Sequence, residues 1–348
     1  MTESMSWKSQ LADSLVSVDA LCERFGVAAE PLRAAAARYP LRITPHYLSL
    51  IETPGDPIWR QCVPDALELV EDGLPQDSLN EAAFTPTPAL VHRYPDRALL
   101  MVSGQCAGYC RFCTRKSRVG TADLAFSDHQ LAEGIAYIAD TPQIRDVILT
   151  GGDPLLLDDD TLEELLWRLH SIEHVEMIRI GSRVPVTLPQ RITPQFCDLL
   201  KRFSPLYLNT HFNHPRELTK EAKRACALLA DAGIVLGNQS VLLRGVNDDA
   251  ETMAQLCRGL LRMRVRPYYL HHLDQAHGTA HFRVPVETGL EIISAMRGRV
   301  SGLGIPHYVV DPPGGQGKIA LSTQNLVETG ELLKVRTAQG QVVTLPNR

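Results

Sequence analysis

Short apolar segments alternate with amphipathic helical segments along most of this 348-residue chain, beginning near Arg97. Strand-then-helix alternation of this regularity predicts a parallel sheet covered by helices. About six such units in roughly 210 residues predict an α/β fold with a TIM-like barrel, full or partial, whose chemistry takes place at the carboxyl ends of the strands. The predicted strands are 98–102, 146–149, 176–180, 206–210, 235–243, 266–271 and 307–310.

Helix start signals fall between these strands. Ser127 and Thr193 are typical helix-capping residues, and Pro194 after Thr193 suits a first helical position. An acidic run at 158–160 marks a further helix start. Later helices are predicted at 217–232, 249–264 and 286–299.

The two ends of the chain differ from this central pattern. The N-terminal part carries helical spacing of apolar residues and then an irregular stretch rich in Pro, Gly and acidic residues, which indicates an extended wrapping segment. The predicted helices are 7–25 and 28–39, the wrapping segment is 53–88, and short strands with a turn near Gln339 and Gly340 are predicted within 326–345. We therefore predict an N-terminal helical and wrapping region at 1–90, a barrel at 91–318 and a short β tail at 319–348.

Composition excludes several classes of protein. Lys and Arg number 35 against 40 Asp and Glu, and this net charge of −5 argues against a partner bound through nucleic-acid phosphates. The sequence contains no uncharged apolar run of about 18 residues, so we expect no membrane span. The first eight residues lack a signal-peptide pattern. We therefore expect a cytoplasmic protein without membrane or nucleic-acid partners, in which eight cysteines need an explanation.

Three of the cysteines form one cluster. Cys106, Cys110 and Cys113 follow the first predicted strand with the spacing C-x3-C-x2-C. Three thiolates on one loop can hold three irons of a [4Fe–4S] cluster and leave the fourth iron open. A closed zinc site needs a fourth ligand, and no Cys or His follows at short spacing. The alternative is that these are three unrelated cysteines of the hydrophobic core. We expect the five isolated cysteines to be small buried residues of that kind.

Two glycine-containing loops also draw attention. Gly151 and Gly152 follow a predicted strand, where they would let a ligand approach the backbone, although strand-to-helix turns use Gly-Gly routinely. The second loop, 311–318, ends in Lys318. It fails as a nucleotide P-loop because Pro312 and Ile319 occupy two required positions. A glycine loop that presents one lysine suits an aldehyde cofactor, although a surface lysine on a turn explains this segment alone equally well.

The cysteine spacing, with Phe112 before the last cysteine, resembles the radical S-adenosylmethionine (SAM) superfamily. A long ordered series of segments resembles, within it, the pyridoxal phosphate (PLP)-dependent lysine 2,3-aminomutase family. The matching segments include 43–45, 92–97, 106–115, 181–183, 188–193, 209–215, 237–247, 266–269 and 311–318.

The resemblance implies a role for each matching residue. Lys318 is the catalytic lysine to which PLP is attached, and Arg115 pairs with the substrate carboxylate. Asp274 and Asp311 hold the distal ammonium of lysine, and the three clustered cysteines bind the [4Fe–4S] cluster. The PLP contacts are Arg93, Tyr94 and Arg97 near the phosphate, together with Asn238 and Gln239. The SAM contacts are Gly151, Gly152, Asp153 and His211, although a structural role for this histidine is equally compatible.

The resemblance implies an isomerase that converts L-lysine to β-lysine, with a flavodoxin or ferredoxin as electron donor and possible homo-oligomers. Alternatives are the elongation factor P-type enzyme that makes (R)-β-lysine, an aminomutase for arginine, ornithine or glutamate, and, more remotely, a non-catalytic iron–sulfur sensor. One departure puts the structural zinc of the long clostridial-type enzymes in doubt. Asp249 stands where they carry a cysteine, and the last cysteine is Cys257.

Overall fold

A nine-stranded sheet organises the computed structural model, which describes residues 6–71, 73–322, 326–328, 332–337 and 341–346. Its strands are β1 (Leu90–Tyr94), β2 (Arg97–Ser103), β3 (Asp146–Gly151), β4 (Met177–Gly181), β5 (Leu206–Thr210), β6 (Val235–Val241), β7 (Arg266–His271), β8 (His307–Val310) and β9 (Ile319–Ala320). They follow one another in chain order across the sheet. All seven predicted strands are confirmed, as β2 to β8.

The strands β2 to β8 are parallel to one another, and six helical connections join them. The edge strands β1 and β9 are antiparallel to their neighbours. No ladder joins β1 to β9 within the described residues, so the sheet curves as a partial TIM-like barrel and does not close. This confirms the predicted fold class and the number of βα units.

The connecting helices bury apolar faces on the sheet. They are α6 (Asp128–Ala139), α7 (Asp159–His170), α8 (Val184–Thr187), α9 (Pro194–Lys201), α10 (Lys220–Asp231), α11 (Ala250–Arg262) and α12 (Val286–Met296). Ser127 and Thr193 cap α6 and α9 as predicted, by accepting backbone N–H groups of the first turn. Along α7 the leucines at helical spacing, Leu162, Leu165, Leu166 and Leu169, are buried.

The N-terminal region corrects one prediction. The helix expected over 7–25 is two helices, α1 (Trp7–Ala12) and α2 (Val18–Phe25). The break occurs because Leu15 pairs its backbone with Ile43 in an isolated β-bridge, and Ser17 then caps α2. Further helices are α3 (Glu30–Arg38), α4 (Pro45–Leu48) and α5 (Pro57–Cys62), with 3₁₀ turns at Ala66–Leu69 and Glu81–Phe84.

The C-terminal tail forms a separate three-stranded antiparallel sheet of β10 (Leu326–Glu328), β11 (Leu332–Arg336) and β12 (Val342–Pro346). These short strands are as predicted, while the turn expected near Gln339 and Gly340 lies outside the described residues. The domain boundaries at 90/91 and 318/319 stay a prediction. In the part of the chain that the structure describes, no helix is long and apolar enough to cross a membrane.

Candidate active site

A cavity of about 610 Å³ opens at the carboxyl ends of the parallel strands. Parallel strands place their carboxyl ends at one edge of the sheet, so loops far apart in sequence meet there. Among its lining residues are Cys106, Cys110, Cys113, Arg93, Tyr94, Arg97, Arg115, Gly151, Gly152, Asp153, His211, Gln239, Asp274 and Lys318. Asp311 lies directly against this set through an ion pair with Lys318. The structure therefore brings together almost every residue that the sequence singled out.

The three clustered thiols line this cavity on the loop after β2. Burial raises the pKa of the Cys113 thiol to about 11 and that of Cys106 well above its ordinary value. Metal binding must displace these protons, so iron and protons compete for the site. Among the described residues, no group of three or more His, Cys, Asp or Glu side chains is arranged to hold a single metal ion. The donor set, three soft thiols facing open space, fits an iron–sulfur cluster with one free iron.

Arg183, two residues after the end of β4, contacts this loop, and no role was predicted for it from the sequence. Its Nη1 donates to the Cys110 sulfur at 2.7 Å, and its Nη2 donates to Glu217 at 2.8 Å and to Gln61 at 2.6 Å. The guanidinium therefore places a buried positive charge against the sulfur of one predicted cluster ligand. The sequence signal that could have found Arg183 is the matching segment 181–183, which directly follows a predicted strand.

Gly151 and Gly152 pack against the cysteine loop, which comprises residues 104–121 after β2. The N–H of Gly152 donates to the carbonyl of Ser103, and that of Asp153 donates to Gln105 at 2.7 Å. A Cβ on Gly152 would overlap the Gln105 backbone, and Gly151 has a φ of +112° that disfavours any side chain. The pair therefore fixes the cysteine loop to β3, and it also lines the cavity as a SAM contact would.

The buried Asp153 carboxylate is engaged by protein groups. It accepts from Ser182 Oγ at 2.7 Å, from Arg183 N at 2.8 Å, and also from the backbone of Val184 and Leu155. In this structure it holds the end of β4 in place, and with it Arg183. Its contact with SAM stays a prediction.

His211 and Gln239 point into the cavity, whereas Asn238 does not line it. His211 stacks on Phe112 with a centroid distance of 5.4 Å, and its buried Nε2 has no hydrogen-bond partner among the described residues. Burial lowers the pKa of His211 well below its ordinary value, so the ring is neutral and can bind a ligand polar group. Asn238 instead bonds the backbone of Phe212 at 2.7 Å and 3.1 Å, because neighbours on a strand face opposite sides.

Lys318 is held from two sides. Its Nζ lies 2.7 Å from Asp311 Oδ2, and its backbone N–H donates to the Tyr94 hydroxyl at 2.9 Å. Gly317 has a φ of +88°, and a Cβ added to it would lie only 3.3 Å from the Tyr94 ring, so glycine lets the loop approach this closely. Tyr94 thus positions the lysine loop, a contact that its predicted place near the PLP phosphate does not include.

The predicted phosphate site contains a small cationic cluster. The guanidinium groups of Arg93 and Arg97 lie 5.0 Å and 4.8 Å from the centre of the Tyr94 ring. Arg93 also pairs with Asp311 at 3.2 Å. Arg179, which sequence reasoning missed, lines the same cavity and is fixed by Asp146 at 2.6 Å and 2.9 Å. Several guanidinium groups at one wall suit a phosphate dianion.

The opposite charge gathers around Asp274. Burial, and then the neighbouring Asp311 carboxylate, raise the pKa of Asp274 to about 7. Its Oδ1 is buried and has no hydrogen-bond partner in the part of the chain that the structure describes. His271 lies 3.9 Å from Asp311, and burial lowers its pKa to about 3, so it adds no positive charge. Two carboxylates with one unpartnered oxygen form a site that a cationic ligand group would stabilise.

Arg115 lines the cavity, but it already has a carboxylate partner. Its Nε donates to Glu81 Oε2 at 3.0 Å, and its Nη2 donates to Glu81 Oε1. Glu81 lies in the N-terminal wrapping segment, 34 residues before Arg115. No sequence pattern indicated this pairing.

Comparisons with known proteins identify the family. A model described as the radical SAM superfamily matches residues 100–257, and one described as lysine-2,3-aminomutase matches residues 293–346. The L-lysine 2,3-aminomutase of Acetoanaerobium sticklandii is 47% identical over 345 residues, which is 97% of this chain and 83% of that protein. The chain belongs to the lysine 2,3-aminomutase family. This confirms the prediction from the sequence that the chain is a member of this family of isomerases.

Other members of the family differ in substrate. The L-lysine 2,3-aminomutase of Clostridium subterminale is 45% identical over 97% of this chain and 83% of its own length. The glutamate 2,3-aminomutase of Clostridioides difficile is 42% identical over 98% of this chain and 82% of its own length. The family uses a [4Fe–4S] cluster, SAM and PLP. Membership therefore establishes the cofactors and the reaction type, while the choice of amino acid depends on the residues in the cavity.

The zinc expectation concerns Asp249. This residue caps α11 by accepting the N–H of Thr252 at 2.9 Å. Its carboxylate thus has a structural use at the position where zinc-binding relatives were expected to carry a cysteine. The absence of the structural zinc stays a prediction.

A buried ion-pair cluster anchors the cysteine loop from outside. Glu68 is fully buried and accepts from Arg111 at 2.9 Å and 2.7 Å and from Lys116 at 2.6 Å. Both cations lie in the cysteine loop. Replacing Glu68 by alanine leaves two buried cations unpaired, so we expect the free energy of unfolding to fall by about 3–5 kcal/mol. Urea denaturation under anaerobic conditions measures this.

Glu30→Ala is the matched control for that measurement, because Glu30 makes an exposed pair with Arg33. We expect it to change the free energy of unfolding by less than about 1 kcal/mol. A loss for Glu68→Ala as small as that of the control would contradict the anchoring role.

Proposed function

We propose that this protein catalyses the migration of the amino group of L-lysine from C2 to C3, giving β-lysine (3,6-diaminohexanoate). The observation that carries the proposal is a single cavity that joins an acidic pair, Asp274 and Asp311, to Arg115 and to the lysine loop. L-lysine has a distal ammonium for the first, an α-carboxylate for the second and an α-amino group for the chemistry near Lys318.

When bound, the reduced cluster with SAM supplies a carbon-centred radical, and PLP supplies the carbonyl group that engages the amino group. We assign the cluster to Cys106, Cys110 and Cys113, as ligands of three irons. We assign SAM to the side of Gly151, Gly152, Asp153 and His211. We assign PLP to Lys318, Gln239 and the wall of Arg93, Tyr94 and Arg97. A flavodoxin or ferredoxin is the proposed electron donor.

The acidic pair selects a cationic side chain. One buried oxygen of Asp274 has no hydrogen-bond partner among the described residues, and Asp311 forms ion pairs with Lys318 and Arg93. The carboxylate of glutamate placed here would meet two like charges at low dielectric, which is strongly unfavourable. This charge pattern favours lysine over glutamate. Ornithine and arginine carry a cation at a different reach, so they remain competitors that an assay must separate.

Enclosure is the contribution of the protein to radical control. Apolar and aromatic side chains, including Phe84, Leu99, Phe112 and Val241, line the cavity beside the polar groups. Such walls hold the reacting groups close and keep water away from reactive species.

One anaerobic assay tests the proposal. The cluster is reconstituted, and PLP, SAM, dithionite and single amino acids (lysine, ornithine, arginine and glutamate) are added. We expect β-lysine as the main product on chiral chromatography. A different β-amino acid would overturn the substrate assignment. The absence of any β-amino acid and of deoxyadenosine would favour the sensor alternative. If the β-lysine formed is the (R) enantiomer, the product is the one expected of the elongation factor P-type enzyme.

The raised pKa of Asp274 predicts a pH dependence. The ionised carboxylate binds the substrate ammonium and the protonated one does not, so kcat/KM for lysine should fall as the pH drops below about 7. Burial is the main cause of this pKa, which the neighbouring Asp311 raises further and the cations Lys318 and Arg93 lower. Asp274→Asn should lower kcat/KM roughly 10²–10³-fold and remove this limb of the profile. Steady-state kinetics across pH measures both effects.

The control for this prediction is Asp140→Asn, which changes an exposed carboxylate at the end of α6. It should leave the profile unchanged. A profile of Asp274→Asn that keeps the wild-type limb would show that another group titrates.

A further inference from the structure

We propose that Glu81 is a positioning residue for Arg115. It fixes the guanidinium so that the edge formed by Nη1 and Nη2 faces the cavity and receives the α-carboxylate of the amino acid. The inference deepens the proposed function and rests on its assignment of Arg115 to the substrate carboxylate.

The argument begins with the donors that Glu81 uses. Its two oxygens accept from Nε and Nη2 of Arg115, which is the side edge of the guanidinium. Among the residues that the structure describes, the only hydrogen bond of the remaining group, Nη1, is a long one of 3.4 Å to the Thr150 hydroxyl at the end of β3. A guanidinium has five N–H donors in a fixed plane. One hydrogen on Nη1 and one on Nη2 therefore stay together as a second pair, shaped for a second carboxylate.

The ion pair between Glu81 and Arg115 is buried, which restricts its geometry. The side chains of Glu81 and Arg115 are 8% and 16% exposed. Burial alone would raise the pKa of Glu81, but Arg115 lowers it below the ordinary value, so Glu81 stays ionised. At low dielectric a charge-assisted side-on pair fixes both the plane and the direction of the guanidinium.

Glu81 is itself held in place. The carboxylate of Asp77 accepts the backbone N–H of Glu81 at 2.9 Å and that of Ala82 at 3.1 Å, which fixes the start of the 3₁₀ turn. At the other end of this turn, the ring of Phe84 packs so closely on Gly315 of the lysine loop that a Cβ there would overlap it. One short segment thus contacts both the predicted carboxylate-binding arginine and the lysine loop.

A lone arginine at this position would be much less ordered. Its side chain loses several rotamers when it is fixed, and Thr150 offers one weak acceptor in place of two charged ones. The cost of ordering Arg115 would then be met at the moment of substrate binding. Glu81 removes that cost beforehand, which strengthens binding without changing the reacting atoms.

The experiment compares two ligands in two proteins. Equilibrium dissociation constants are measured by calorimetry for L-lysine and for 1,5-diaminopentane, which lacks the carboxylate, using the reconstituted enzyme with SAM and PLP and no reductant. We expect Glu81→Ala to weaken L-lysine roughly 10–100-fold and to leave 1,5-diaminopentane unchanged. Glu81→Asp, shorter by one methylene, should fall between wild type and alanine. In turnover, KM should rise with little change in kcat.

Glu176→Ala is the matched control, because Glu176 makes an exposed pair with Arg145 far from the cavity. It should change neither constant. The cluster and PLP absorbances of Glu81→Ala should match wild type. If Glu81→Ala loses the cofactors, the isosteric Glu81→Gln replaces it, with a smaller loss expected for L-lysine alone.

Two results would overturn the proposal. Equal weakening of both ligands would show that Glu81 supports the fold of the cavity generally. Tighter binding of L-lysine would show that Glu81 competes with the substrate for Arg115. Failure of the proposed function is a separate result, since it appears as absent β-lysine in wild type. In that case the amino acid that wild type does accept, paired with its decarboxylated form, replaces L-lysine and 1,5-diaminopentane.

Discussion

Replacing Lys318 by alanine is expected to abolish the visible absorbance of bound PLP and to lower turnover by at least about 10³-fold. Lys318 is the lysine that the glycine loop presents to the cavity, with its Nζ 2.7 Å from Asp311. Alanine has no amino group to hold an aldehyde cofactor. The cluster thiols lie on a different loop, so the iron content and the cluster absorbance should remain. Absorption spectroscopy of anaerobically reconstituted protein separates the two effects.

Lys201→Ala, an exposed lysine at the end of α9, is the matched control and should keep both absorbances. A Lys318→Ala protein that retained the native PLP absorbance would show that another group holds the cofactor. Addition of a primary amine offers a further check. Partial recovery of turnover would place the missing amino group at this position.

Replacing any one of Cys106, Cys110 or Cys113 by alanine is expected to remove the cluster absorbance and reduce turnover to background. Three irons each need one thiolate, and the structure offers no fourth cysteine on this loop. Loss of one ligand therefore leaves an iron without a protein donor. Iron analysis after anaerobic reconstitution, together with the deoxyadenosine formed from SAM, measures the result.

Cys62→Ala is a demanding control for this experiment. The Cys62 thiol is buried and donates to the Ile58 carbonyl at 3.3 Å, so it has a structural use. It should keep wild-type iron content, as should Cys197→Ala. Full iron content in Cys113→Ala would mean that a different donor completes the cluster, and the assignment of the three ligands would be wrong.

Local signals explain why so much could be predicted from the sequence. Apolar periodicity and helix caps such as Ser127 and Thr193 depend on residues within one or two turns of each other. The seven parallel strands and six connections followed from them. The cysteine spacing is equally local, since C-x3-C-x2-C limits three thiols to one loop whatever the rest of the chain does. The long series of matching segments then indicated the family.

Long-range pairing explains what was missed. The helix expected over 7–25 breaks because Leu15 pairs with Ile43, a contact that no local pattern contains. The partners of the catalytic groups are distant in the same way. Arg183 contacts Cys110 across 73 residues, and Tyr94 holds the Lys318 backbone across 224. Such contacts arise only once the strands are aligned.

The sequence by itself determined which chemical groups this protein carries: three clustered thiols, one presented lysine, two acidic residues and several arginines on an α/β scaffold. Only the tertiary structure decided how they are used. It directs Gln239 into the cavity and Asn238 away from it, and within the described ranges it leaves one Asp274 oxygen without a hydrogen-bond partner. It also gives Arg115 a partner in Glu81. The physical reason is that burial and charge pairing depend on distances between side chains, and those distances are set when the carboxyl ends of the strands meet.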